Sequence, residues 1–153
     1  MACYMMRSRV EELGIADEFE IESAATSTEE IGNPVYPPAA RMLASRGIRC
    51  AGHHARQITA RDYDRFDLII AMDEWNLRNL RRILGGDPEG KVHLMMEYTD
   101  RPGEVADPWY TGDFEATWRD LDEGIDGLLG SLGRVDAKTP WTYGKKHRNN
   151  KKR

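Results

Sequence analysis

Five consecutive apolar residues, Leu68-Ile69-Ile70-Ala71-Met72, stand between Asp67 and Asp73 with no polar interruption. A run of that length suits a strand covered on both faces, as strands of a parallel sheet are, and parallel strands require crossovers that are usually helical. The flanking sequence supplies them. Thr59-Ala60-Arg61-Asp62 is a capping-box variant that opens a short helix to about Arg65. After Asp73-Glu74, the residues Leu77, Leu80, Ile83 and Leu84 fall on one helical face, which Gly85-Gly86 ends. Lys91 to Met95 reads as the next strand.

The same alternation extends in both directions. Ala2, Met6, Val10 and Leu13 lie at helical spacing and predict a helix over 1–13, stopped by Gly14. Phe19, Ile21 and Ser23 alternate with Glu20 and Glu22, the period of a half-buried strand. A helix from Pro38 to Arg46 should turn Met42 and Leu43 inward and stop at Gly47. From Asp113 onward, Phe114, Trp118, Leu121, Ile125 and Leu128 draw the longest apolar stripe in the chain. This order predicts a three-layer α/β domain with a doubly wound parallel sheet. Such domains normally open on a central strand that feeds a catalytic loop and then the first helix. Here the first helix is present and that strand is expected to be missing.

Length and charge narrow the function. A chain of 153 residues, 40% hydrophobic, suits one compact domain, placed at 1–133. No apolar run approaches membrane length and no signal core is present, so a cytoplasmic address is expected. Cys3 and Cys50 are too few for a disulfide framework and should be free thiols. The net charge of −4 is uneven: seven Lys or Arg and no acids follow Asp136, leaving 15 basic against 26 acidic residues up to and including it. An acidic body argues against nucleic acid as the main partner. Residues 134–153 read as a basic, disordered tail that solubilises or touches RNA or acidic headgroups.

Ala106-Asp107-Pro108-Trp109-Tyr110 sets an acid against a proline and two aromatics, the pattern of a catalytic acid on a rigid loop, although Asp-Pro alone is also an ordinary turn. This motif is accompanied by Ser23-Ala24-Ala25-Thr26, Gly32-Asn33-Pro34, His53-His54-Ala55-Arg56-Gln57-Ile58-Thr59 and Asp64-Arg65-Phe66-Asp67-Leu68-Ile69-Ile70-Ala71-Met72-Asp73. In that order and at those separations, residues 1 to about 132 resemble the low-molecular-weight protein-tyrosine phosphatases, from the segment directly after the phosphate loop onward.

The resemblance implies a four-stranded parallel sheet with helices on both faces. It also implies hydrolysis of a phosphate monoester through a phosphocysteine, with no metal and no cofactor. The substrate would be a phosphotyrosine protein or a small aryl phosphate. By resemblance Asp107 is the general acid, Trp109 and Tyr110 form the aromatic wall beside the substrate ring, and His53 and Ser23 support the phosphate loop. The alternative for Trp109 and Tyr110 is anchoring the loop over the core, and for His53 a satisfied structural histidine. Trp109 stands where relatives carry tyrosine, and Glu29 where many carry a rim aromatic. Asp73 is expected to fix local geometry.

The Cys-x5-Arg loop that would carry the nucleophile is not found after Met1. A formal Cys-x5-Arg runs from Cys3 to Arg9, but no strand leads into it and no glycine turns its N–H groups inward, so Cys3 reads as a decoy within the first helix. The 153-residue chain is therefore expected to lack phosphatase activity. It should also be marginally stable, because the missing strand would lie between those near Phe19–Ser23 and Leu68–Met72. Two further functions stay open: a non-catalytic binding module that keeps the aromatic rim, and a thiol-dependent arsenate reductase on the same fold.

Overall fold

The computed structural model describes residues 1–26, 35–50, 55–108 and 112–134. Its contacts fall into two compact units, Met1–Ala60 and Arg61–Arg153. The tail is outside the described residues beyond Arg134, as are the Gly32-Asn33-Pro34 loop and Glu29.

In the first unit, α1 (Ala2–Glu12) buries Met5, Met6 and Val10. Leu13, expected inside, is 39% exposed. The chain turns away there: Gly14 adopts φ +73°, which a side chain would resist. The amide of Gly14 reaches the Glu11 carbonyl at 3.0 Å and that of Ile15 reaches Val10 at 2.9 Å, the paired closure of a Schellman motif. A second helix, α2 (Pro37–Ser45), begins on its proline, whose missing N–H costs nothing in a first turn. It seats Leu43 in the core with no exposed surface, while Met42 is only half-buried.

The strand expected over Phe19–Ser23 does not form. A 3-10 turn, Ala16–Glu18, leads into extended backbone there, with Phe19 at φ −128° and ψ 139°. The pairing observed is a single parallel bridge between Ala25 and Gln57, closed by Ala25 N–H to Arg56 O (2.7 Å) and Ile58 N–H to Ala25 O (2.8 Å). A competing donor explains part of the loss. The Arg7 guanidinium donates to the Ile21 carbonyl from Nε (3.0 Å) and Nη2 (2.6 Å), occupying an acceptor that a ladder would need.

The second unit carries the parallel sheet. Between α3 (Ala60–Arg65) and α4 (Glu74–Leu84) runs β1 (Ile69–Ala71), followed by β2 (Val92–Leu94). The two strands pair in parallel with Ile69 opposite Val92 and Ala71 opposite Leu94. Both are three residues long rather than five, and each buries its outer residues while Ile70 and His93 stay half-buried. The apolar run is thus covered fully on one face only. Asp73 caps α4, accepting the Asn76 amide at 2.7 Å, and Gly85 ends that helix in the left-handed region, as the sequence implies.

Asp87 organises the entry to β2. Its carboxylate accepts from the Tyr63 hydroxyl (2.7 Å) and from the amides of Lys91 (2.7 Å) and Val92 (3.2 Å). Beyond β2, a 3-10 turn (Met95–Tyr98) lies against α5 (Phe114–Ser131). Two glycines of α5 permit the close approach. A Cβ on Gly127 would overlap the Tyr98 carbonyl, and one on Gly124 would sit 2.5 Å from Met95 Cγ. Leu121, Ile125 and Leu128 of the expected stripe are buried, whereas Phe114 and Trp118 are half-buried.

Candidate active site

The loop carrying Asp107 is fastened at successive residues just before it. The Glu104 carboxylate accepts the Glu74 amide at the start of α4 (2.8 Å). Val105 is buried and donates its N–H to Met72 O (3.0 Å), directly beyond the C-terminal end of β1. At Ala106 both peptide groups are taken by α5: the N–H donates to Asp120 Oδ2 (2.9 Å), and the carbonyl accepts from the buried Thr117 hydroxyl (2.7 Å).

Asp107 follows at once and is exposed. Pro108 stiffens the next step through its fixed φ, and its carbonyl accepts the Gly112 amide at 2.8 Å. Asp113 then starts α5 by accepting the Ala116 amide at 3.0 Å. A carboxyl on a tied-down loop at the C-terminal end of a parallel strand stands where α/β sheets place their ligands.

Charge reinforces the fastening. Asp120 also receives the Arg101 guanidinium at 3.0 Å, and Glu123 receives the same group at 2.8 Å. The carboxylates of Glu123 and Asp120 raise the Arg101 pKa above its ordinary value, so the guanidinium keeps its charge. Half-exposed pairs of this kind contribute at most about 1 kcal/mol. Their main effect here is to fix the Asp120 carboxylate for its bond to Ala106.

Cys3 lies inside α1, with its Sγ 3.9 Å from the Ile21 carbonyl. Burial pushes its thiol pKa up, outweighing the Arg7 charge and a hydrogen bond from the Ser23 hydroxyl that pull it down. A thiol held neutral is a poor nucleophile. Ser23 is half-buried on the extended segment and partners this sulfur. Cys50 is free and half-buried. Trp109, Tyr110 and His53 lie outside the described residues.

Thr117 and Asp120, which hold the peptide groups of Ala106, are the residues of this loop's anchorage that sequence reading misses. They sit three apart near the start of α5 and so share a face, but in sequence Asp120 looks like one more solvated acid in Arg119-Asp120-Leu121-Asp122-Glu123. The available signal is a buried-type hydroxyl one turn before an acid, just after an Asp-Pro loop. In this arrangement a rigidly held, solvent-facing carboxyl can exchange a proton with a reacting group brought to it.

A family model described as low molecular weight phosphotyrosine protein phosphatase matches residues 1–138. The chain is 32% identical over 134 residues to the low molecular weight protein-tyrosine-phosphatase YfkJ of Bacillus subtilis, with 86% of each chain covered. It is 36% identical over 120 residues to the low molecular weight phosphotyrosine protein phosphatase of Rattus norvegicus, with 75% of each covered. Its fold is similar to the crystal structure of YfkJ, with a TM-score of 0.81 over 86% of this chain and 84% of that one. It is also similar to a low molecular weight protein tyrosine phosphatase from Streptococcus pyogenes, with a TM-score of 0.75 at 35% identity, covering 90% and 84%.

Proposed function

The chain belongs to the low molecular weight phosphotyrosine protein phosphatase family, and from that premise we propose that Asp107 is the general acid of a cytoplasmic phosphotyrosine phosphatase site. The observation that carries the reading is the fastening of Glu104, Val105 and Ala106, which holds an exposed carboxyl at the end of β1.

In the reaction a cysteine thiolate attacks phosphorus, the phosphorus–sulfur bond forms, and the bond to the aryl oxygen breaks. Asp107 gives that oxygen its proton. A water then attacks the phosphocysteine, Asp107 takes the water's proton, and the thiolate leaves as inorganic phosphate is released. Trp109 and Tyr110 are assigned to the substrate ring, and His53 and Ser23 to supporting the phosphate loop.

The thiolate is not assigned to either cysteine of these 153 residues. Cys3 is a helical residue whose thiol is held neutral, so residues 1–153 by themselves are expected to release no nitrophenol from p-nitrophenyl phosphate. Joining a strand and a Cys-x5-Arg loop to the N-terminal side of Met1 is expected to create activity. In that longer chain Asp107→Asn should lower kcat on the order of 10²–10³ for poor leaving groups. Turnover by residues 1–153 that disappears in Cys3→Ser would make Cys3 the nucleophile and overturn the assignment.

The placement of Cys3 favours one second reading, a non-catalytic module that binds phosphotyrosine segments. An extended chain that stays inactive while binding a phosphotyrosine peptide would select it.

A further inference from the structure

The exposed face of α4 combines an aromatic side chain with cations that form no ion pair among the described residues. Trp75 is 63% exposed, the most open large apolar side chain among the described residues. The Arg78 guanidinium lies 5.4 Å from the centre of its ring, a cation–π contact that leaves the charge open to a second partner. Arg82 continues the stripe one turn on, its Nη2 donating to Asn79 Oδ1 at 3.2 Å. Positions 75, 78 and 82 share one helical face by their spacing, with Arg81 beside them. Leu77 and Leu80 face the core on the other side. Among the described residues none of Arg78, Arg81 and Arg82 forms an ion pair, in a chain that carries 26 acidic residues.

The stripe begins beside the candidate site. The Glu74 amide is bonded to the Glu104 carboxylate, and Met72 O to the Val105 amide, so the residue just before Trp75 is tied to the loop that leads to Asp107. From Trp75 to Arg82 the helix rises about 10 Å, the reach of about three residues of extended peptide.

We propose that this face of α4 docks an acidic segment of the phosphoprotein substrate. An apolar or aromatic residue of the substrate packs on Trp75, and carboxylates a few residues farther from the phosphotyrosine meet Arg78 and Arg82. The proposal rests on the phosphatase reading for its choice of partner. Arginine favours carboxylates because its planar fork donates two parallel N–H bonds to the two oxygens of one carboxylate, and a stacked guanidinium is already partly ordered for that contact. A protein segment is favoured over RNA because the stripe is one short helix face with a single aromatic to stack on.

The test uses residues 1–153 and needs neither phosphate nor turnover. A fluorescein-labelled 12-residue peptide holding a tyrosine and, three to six residues away, a run of glutamates is titrated by anisotropy. A copy with glutamines in place of the glutamates and a 12-nucleotide oligouridine serve as comparisons. The acidic peptide is expected to bind at least tenfold more tightly than the glutamine copy at low salt. Arg78→Gln with Arg82→Gln should abolish that preference and flatten its salt dependence, Trp75→Ala should weaken binding about fivefold, and Arg41→Gln on α2 should change nothing.

An unchanged preference in the double variant would overturn the proposal. So would oligouridine binding more tightly than the acidic peptide and losing that affinity in the double variant. Loss of the preference leaves the role of Asp107 untouched, and failure of Asp107→Asn to slow an active extended chain leaves the docking face untouched.

Discussion

Thr117 and Asp120 each hold one side of a single peptide residue, Ala106, and through it set where Asp107 begins. Thr117→Val removes the hydroxyl but keeps the volume, leaving the Ala106 carbonyl without its donor. The expected cost is about 1 kcal/mol in urea unfolding. Amide exchange at Ala106 should be faster than in the wild type, and Thr117→Ser should restore both. Unchanged exchange in Thr117→Val would show that the loop is held without this bond. Asp87 offers a pH test at the same scale. Burial pushes its carboxyl pKa up, but the hydrogen bonds from Tyr63, Lys91 and Val92 outweigh that and leave it below the ordinary 3.8. A depressed pKa gives stability that is complete above the unfolded value and lost as pH falls through the folded one. Acid titration below about pH 3.8 should therefore weaken the fold, and Asp87→Asn, less stable at neutral pH, should lose part of that acid dependence in melts run from pH 2 to 7.

Among the elements, α5 shows how pattern and packing part company. Its apolar stripe is plain in the sequence, and so is the Asp113 cap. The stripe does not reveal that Gly124 and Gly127 face the Met95–Tyr98 turn closely enough for a methyl group to collide. Gly127→Ala meets backbone, which cannot rotate away, and should cost about 3 kcal/mol despite the helix propensity that alanine adds. Gly124→Ala meets mainly the flexible Met95 side chain and should cost about 1 kcal/mol. Equal stability of the two variants in thermal melts would contradict this packing. The strands erred in the opposite sense. A five-residue apolar run became the three-residue β1 because a run sets hydrophobicity but not ladder length, which depends on the partner's register. The segment Phe19–Ser23 has a strand's alternation and begins extended at Phe19, yet Arg7 takes its Ile21 carbonyl.

At the scale of the whole molecule, the described sheet is two parallel strands of three residues each, and the first unit contributes one isolated bridge. Sheets this small depend on helix packing for stability. Residues 1–153 are expected to unfold broadly, at or below the lower end of the ~45–65 °C range of mesophile domains. A sharp calorimetric transition of a monomer well above it would refute that. Among the described residues no helix is long and apolar enough to cross a membrane.

Local chemistry is what the sequence determined alone: which segments are helical, where glycines and acids cap them, and the parallel α/β class. These follow from periodicity and short-range hydrogen bonding, which depend on neighbours a few residues apart. Tertiary structure decided how Asp107 is held, because Ala106 meets Thr117 and Asp120 across 11 and 14 residues of chain. It decided that the Cys3 thiol is held neutral by burial, since burial belongs to the packed molecule. It also decided that Trp75 faces solvent beside Arg78: the sequence places an aromatic near the start of α4, and only the packing of Leu77 and Leu80 determines which way that aromatic points.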